Sequence, residues 1–207
     1  MNGITKFILK AAFGAAVVCG IIGGVMRLFF VTPVLMTHNG MAPSLLAGEQ
    51  AFMWRGAEPE LGSIAVCANQ STGESVIGRV IGTSGNQIAT DREQLTINGR
   101  SPSMDIHESL QFFNSDTNRQ EPVRRATVQF GNTDHDIFIR ENHTLRIHPT
   151  SVSSGMLYLM SDNRGDETHD SRAFGPVQSS SCIGTLFMRG RPVDVGANLG
   201  HGWLDFL

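Results

Sequence analysis

Sixteen consecutive apolar residues, Ala11 to Met26, restrict this chain more than any other feature of it. A run that long and free of charge is poorly suited to a surface in water, and it approaches the roughly 20 residues that span a bilayer core. Apolar character resumes after Arg27 through Phe30 and Val31, and an arginine near the end of a span can snorkel to the interface. Lys6 and Lys10 precede the run, so the charge bias predicts an N-terminus in the cytoplasm and the rest of the chain outside. A cleaved signal peptide needs small residues at its cut site, and the Gly23–Phe30 stretch has no A-x-A pattern. The expectation is a retained single-pass signal-anchor over residues 1–36, followed by an extracytoplasmic domain over residues 37–207.

Beyond Pro33 the chain reads as short apolar runs separated by turn residues. Ala51–Trp54, Ser63–Cys67, Ser75–Gly82, Gln94–Gly99, Ala126–Phe130, Asp136–Arg140, Met156–Met160 and Cys182–Met188 are strand-like. No run after residue 36 keeps helical periodicity over a dozen residues. Glycine is enriched, with 23 in 207 residues against a usual share of about 7%. These features predict a mainly β, antiparallel domain. The polar, irregular stretch over 101–125 predicts an inserted flap or small subdomain. Net charge is −3 without any Lys/Arg block, which excludes a nucleic-acid footprint.

Three cysteines are too few for a disulfide scaffold. Cys19 falls in the apolar run, leaving Cys67 and Cys182 as the only other pair. A disulfide is open to them if the domain is exported, but two buried free thiols are the expectation. The seven histidines (38, 107, 135, 143, 148, 169 and 201) show no H-E-x-x-H spacing. They are expected as surface or core residues, with no metal and no cofactor.

Four stretches, in order, resemble the boxes of the type I signal peptidases, membrane-anchored serine endopeptidases that remove signal peptides. They are PVLMTHNGMAPSLLAGE (33–49), ELGSIAV (60–66), SVIGRVIGTSGNQI (75–88) and LMSDNRGDETHDSRAFGPV (159–177). The resemblance implies that fold, a bacterial inner-membrane location and an active site at these boxes. Carried over position by position, it breaks at the chemistry. The serine nucleophile falls on Gly40, just before Met41 and three places before Pro43. The lysine base falls on Gly78, just before Arg79. The serine of the oxyanion hole falls on His38, and the acids of three Gly-Asp pairs fall on Glu49, Ser63 and Asn86. In the last box Asp162, Asn163, Arg164, Asp170, Ser171 and Arg172 match, while Ser161 replaces a glycine. The spacer before Asp170 is one residue longer than the family's pattern, and its supporting serine falls on Thr168.

Amide hydrolysis by this route needs a hydroxyl to attack and a neutral amine to take its proton. Glycine offers neither, and no lysine exists beyond residue 10 to replace the base. Ser44, in the slot after Pro43, would need the loop to shift, and the neighbours His169, Asp170 and Ser171 diverge too much to form a relay. The expectation is therefore a membrane-bound, catalytically inactive homologue. Its partners would be an extended segment of an exported or pilin-like client, or an active signal peptidase. An active endopeptidase with a displaced nucleophile and a purely structural subunit are the rivals.

Overall fold

The computed structural model describes residues 3–69, 73–130, 133–141, 143–192, 199, 202 and 204–207. Its first element, α1 (Gly3–Phe29), has 27 residues, about 40 Å at 1.5 Å per residue. Within it Phe7–Val25 is long and apolar enough to cross a membrane and is exposed, with none of the window buried among the described residues.

Thirteen strands follow among the described residues: β1 (Val31–Leu35), β2 (Gln50–Arg55), β3 (Ile64–Ala68), β4 (Ser75–Gly82), β5 (Gln87–Asp91), β6 (Gln94–Ile97), β7 (Met104–Asn114), β8 (Arg119–Phe130), β9 (Thr133–Arg140), β10 (Thr150–Ser151), β11 (Met156–Met160), β12 (Val177–Gln178) and β13 (Cys182–Arg189). A short helix, α2 (Ser171–Phe174), precedes β12. The main sheet runs β1-β2-β13-β3-β4-β11-β12, with smaller sheets β10-β5-β6 and β7-β8-β9. Every strand pairing is antiparallel, so the mainly β expectation holds.

Burial explains the topology. Ile64–Cys67 and Val76–Gly82 are buried on both faces, which places β3 and β4 inside the main sheet. Pro33, which lacks an N–H for the ladder, sits in β1 at the sheet edge. One apolar cluster, including Ile81, Ile88, Phe130, Ile137 and Tyr158, joins the three sheets. A second, including Met36, Met41, Leu45, Met53 and Leu186, anchors the loop between β1 and β2.

The structure departs from the sequence reading at three places. Val31–Leu35, assigned to the anchor segment, is β1 and pairs with β2 from Val31↔Trp54 to Leu35↔Gln50. The stretch read as irregular is ordered, because β7 and β8 form a long hairpin there that continues into β9. Cys67 and Cys182 are not free thiols. They lie opposite each other on β3 and β13 and form a disulfide, a bond that persists in oxidising compartments.

Candidate functional site

The loop between β1 and β2 carries the first set of residues. A single 3-10 turn, Asn39–Met41, is followed by Ala42 and Pro43. Met41, Ala42, Leu45 and Leu46 are fully buried and tie the loop to the core. Asn39 fastens it to the β7–β8 hairpin. Its backbone N–H donates to Asp116 Oδ2 (2.6 Å), and its side-chain amide donates to Asn114 Oδ1 (3.1 Å) and Ser115 Oγ (2.8 Å). The turn is rigid, and its central residue, Gly40, has no side chain.

The space beside Gly40 is filled by its neighbours. A Cβ there would lie 2.8 Å from His38 Nδ1 and 2.9 Å from Asp166 Oδ2. His38 Nδ1 accepts the Gly40 N–H at 3.1 Å. The His38 and His169 rings stack 4.0 Å apart with planes 9° apart, and His169 Nδ1 lies 2.8 Å from Asp166 Oδ2. Burial, then the adjacent His169 ring, hold His38 below the usual imidazole range. Burial alone would raise Asp166, but hydrogen bonds from His169 and Thr168 outweigh it and hold the carboxyl low. Of the histidines expected as surface or core residues, His38 is half-buried and His169 exposed, and the fold brings the two together; His201 lies outside the described residues.

Gly78 sits in β4 opposite Ala65. A Cβ there would meet Leu159 Cβ at 3.0 Å and Met160 N at 3.5 Å on β11. On β4, β11 pairs only with Arg79, Val80 and Gly82. The Ser75–Gly78 half of β4 therefore has β3 on one side and no strand on the other among the described residues.

The last box holds this region together through buried charge. Asp162 is fully buried and takes Arg79 in a two-point ion pair, at 2.9 Å from Nε and 2.7 Å from Nη2. Burial would raise Asp162, but Arg79 prevails and holds its carboxyl below the usual range. Ser44 Oγ donates to Asp162 Oδ2 at 2.6 Å and also meets Arg79 Nη2 at 3.2 Å. Asp170, also fully buried, caps α2, accepts the Ser161 N–H and pairs with Arg172. Arg172 also donates to the Arg164 and Asp166 carbonyls. Ser171 Oγ accepts the Leu159 N–H at 2.9 Å, and Asn163 N–H donates to the Gly40 carbonyl at 2.9 Å. Arg164 is buried, reaches the Ser161 carbonyl and is pushed down to about 10 by desolvation. Thr168 Oγ1 is committed to Asp166 Oδ1 (2.9 Å) and His169 Nδ1 (3.0 Å).

The acid positions of the family's Gly-Asp pairs serve turns instead. Glu49 Oε2 accepts the Leu46 N–H, Ser63 Oγ bonds the Glu60 backbone and Asn86 Oδ1 accepts from Thr83. Beside Ser44 a cleft of about 390 Å³ is lined by Pro43, Arg79, His135, Asp136 and Arg189 among others. Both His135 ring nitrogens are buried there without a hydrogen-bond partner among the described residues. Burial pushes this imidazole down to about 3 despite Asp162 at 3.9 Å, so it is neutral at pH 7.

The family model described as "Signal peptidase, peptidase S26" matches residues 7–190. The chain belongs to this family. Signal peptidase I U of Bacillus subtilis (strain 168) is 25% identical over 165 residues, covering 77% of this chain and 75% of the relative. A crystal structure of a signal peptidase I from Enterococcus faecalis V583 is 22% identical and covers 62% of this chain and 96% of that one, with a TM-score of 0.39. Within a peptidase S26 frame the sequence boxes identify Gly40, Gly78 and the Asp162–Arg172 segment. They assign no role to Asp166 or Asn39, weigh His169 only as a neighbour of Asp170 and Ser171, and leave out His135. The lengthened spacer between Arg164 and Asp170 was the one visible signal, since Asp166 and His169 both lie in it.

Proposed function

We propose that this chain is a membrane-anchored signal-peptidase homologue that does not cleave, and that it holds extended segments of exported proteins. One observation supports this above the others. The nucleophile and base positions are both glycine, and the space beside Gly40 is taken by His38 and Asp166. Without an attacking oxygen and a proton acceptor the reaction lacks its unit, a loss of about a millionfold in a serine protease.

The nearby hydroxyls offer no substitute. Ser44 Oγ donates to Asp162, but Arg79 pairs with both oxygens of that carboxyl and holds its pKa low, which makes it a weak base, and the guanidinium itself cannot accept a proton. Thr168 is within reach of an imidazole, but His169 Nδ1 is shared between Thr168 Oγ1 and Asp166 Oδ2. A relay needs the nucleophile on one ring nitrogen and the orienting acid on the other.

Client binding draws on the backbone, which glycine leaves intact. An extended segment adds to a strand through main-chain hydrogen bonds. β2 has partners on both sides, whereas the Ser75–Gly78 half of β4 pairs with no strand on its far side among the described residues, and a client segment would join there by displacing what buries Val76 to Gly78. The anchor would hold the β domain on the outer face of a bacterial inner membrane, and the Cys67–Cys182 disulfide favours that side.

The test uses the full chain in detergent with a signal-peptide precursor, beside a Gly40→Ser/Gly78→Lys variant. Wild type should leave the precursor intact yet bind an extended apolar peptide saturably. Cleavage by wild type above a buffer blank would overturn the reading, and a lack of saturable binding would leave a structural role only.

A further inference from the structure

We propose that His38, Asp166 and His169 bind a divalent transition-metal ion of the zinc class, in the space that a nucleophile side chain would occupy. One donor atom from each residue lies within 4.8 Å of the others. The donors come from two loops that are far apart in sequence yet face one point. The place of a Cβ on Gly40 is 2.8 Å from His38 Nδ1 and 2.9 Å from Asp166 Oδ2, and Oδ2 is in turn 2.8 Å from His169 Nδ1. Donors held about 2.0–2.2 Å from one tetrahedral ion stand about 3.3–3.6 Å apart, so a spread of up to 4.8 Å must close by roughly 1 Å while Asp166 Oδ2 and His169 Nδ1 part slightly.

The donor chemistry selects the ion. Two imidazoles with one carboxylate suit zinc and its neighbours, whereas calcium and magnesium favour sites built of oxygen. The outer contacts are those of a metal carboxylate. The Thr168 amide and hydroxyl both donate to Asp166 Oδ1, at 3.0 and 2.9 Å, which leaves Oδ2 turned toward the rings. Arg172 holds the Asp166 carbonyl from behind. Binding requires His38 to release the Gly40 N–H and the two stacked rings to tilt apart.

Position 40 links the site to the loss of the nucleophile. Any side chain there would press on two of the three donors, His38 Nδ1 and Asp166 Oδ2. Three protein ligands leave a fourth tetrahedral position, and the 44% exposure of the His169 side chain opens it to solvent or to a bound chain. The ion would cross-link His38, at the start of the Asn39–Met41 turn, to the Asp166–His169 loop.

The experiment takes the full chain in detergent, stripped with chelator, then dialysed against Zn²⁺ and titrated with Co²⁺. We expect one ion per chain and the visible d–d bands of four-coordinate Co²⁺. At zinc a hundredfold above its dissociation constant, thermal unfolding should rise by about 5–10 °C. His169→Ala, whose ring is largely exposed, should keep the fold and weaken binding at least about tenfold, as should Asp166→Asn and Gly40→Ser. His107→Ala, an exposed histidine elsewhere, should bind as wild type does. Equal affinity in wild type, His169→Ala and Asp166→Asn would overturn the proposal, and so would failure of wild type to bind either metal.

Discussion

At position 40 the missing side chain has been replaced by its neighbours, whereas at position 78 the backbone has closed in. The atoms that crowd a Cβ at Gly40 are the tips of His38 and Asp166. Both can swing aside, so Gly40→Ser should cost less than about 1 kcal/mol while breaking up the His38–Asp166–His169 cluster. The atom that crowds Gly78 is Leu159 Cβ, fixed to its strand. Gly78→Lys must also place an amine in a buried strand, and should cost about 1–3 kcal/mol, read as a shifted denaturant midpoint at unchanged slope. His135 makes a second prediction at this scale. Its ring faces Asp162, Asp136, Arg79 and Arg164 and stacks on Phe130. Its value falls from 6.5 unfolded to about 3 folded. Above about pH 7 it is neutral in both states and contributes no slope. Between about pH 6.5 and 3 the unfolded chain takes a proton the folded chain refuses, so stability falls with pH by up to about 1.4 kcal/mol per unit. The stabilisation from Asp162, whose pKa is lowered, is lost only below about pH 4. Denaturation midpoints of His135→Phe between about pH 4 and 6.5 should therefore fall less steeply than those of wild type.

Among the elements, β13 is the least forgiving. It lies between β2 and β3 with register shifts on both sides. A Cβ at Gly184 would sit 2.1 Å from the Trp54 carbonyl oxygen and 3.0 Å from its carbon. Backbone in a paired strand cannot move as a side-chain tip does. Gly184→Ala should thus cost at least about 3 kcal/mol, seen as a large Tm loss or a failure to accumulate folded protein, while the same change at the open Gly56 of the following turn should not come near it. Why some strands were legible in sequence and others not follows from what each buries. β3, β4 and β11 are apolar because both faces or one whole side meet the core, and their runs read directly as strands. β7 is exposed over most of its length, with a burial pattern open through His107 and Ser109. It owes its form to the ladder with β8, so its residues carry no alternation to read. β1 was hidden differently, since Val31–Leu35 continues the apolar character of α1. The site divides along the same line. Gly40, Gly78 and the Asp162–Arg172 contacts sit in motifs local in sequence. The His38–His169 stack and the Cys67–Cys182 bond depend on which loops and strands fold side by side, and 115 residues separate the two cysteines.

For the molecule as a whole, the disulfide and the apolar helix α1, long enough to cross a membrane, both bear on the proposed placement of the β domain on the outer side. A bond closing a loop of 115 residues removes much freedom from the unfolded chain, an effect of about 4–5 kcal/mol in the loop-entropy account, with measured losses of about 2–5 kcal/mol. A Cys67→Ala/Cys182→Ala variant should unfold at a Tm several degrees lower. A reducing cytoplasm would not keep this bond, whereas an exported domain would. The third cysteine, Cys19, lies in the apolar part of α1 and is free, which makes it an internal reference. Full-length chain taken from cells, denatured without reductant and alkylated, should carry a single label, at Cys19. After reduction it should carry labels at all three cysteines. A version lacking α1, retained in the cytoplasm, should expose Cys67 and Cys182 to label without reductant. If the anchored chain instead takes label at Cys67 and Cys182 before reduction, the orientation drawn from Lys6 and Lys10 is reversed, and a client emerging on the outer face could not reach the Ser75–Gly78 edge.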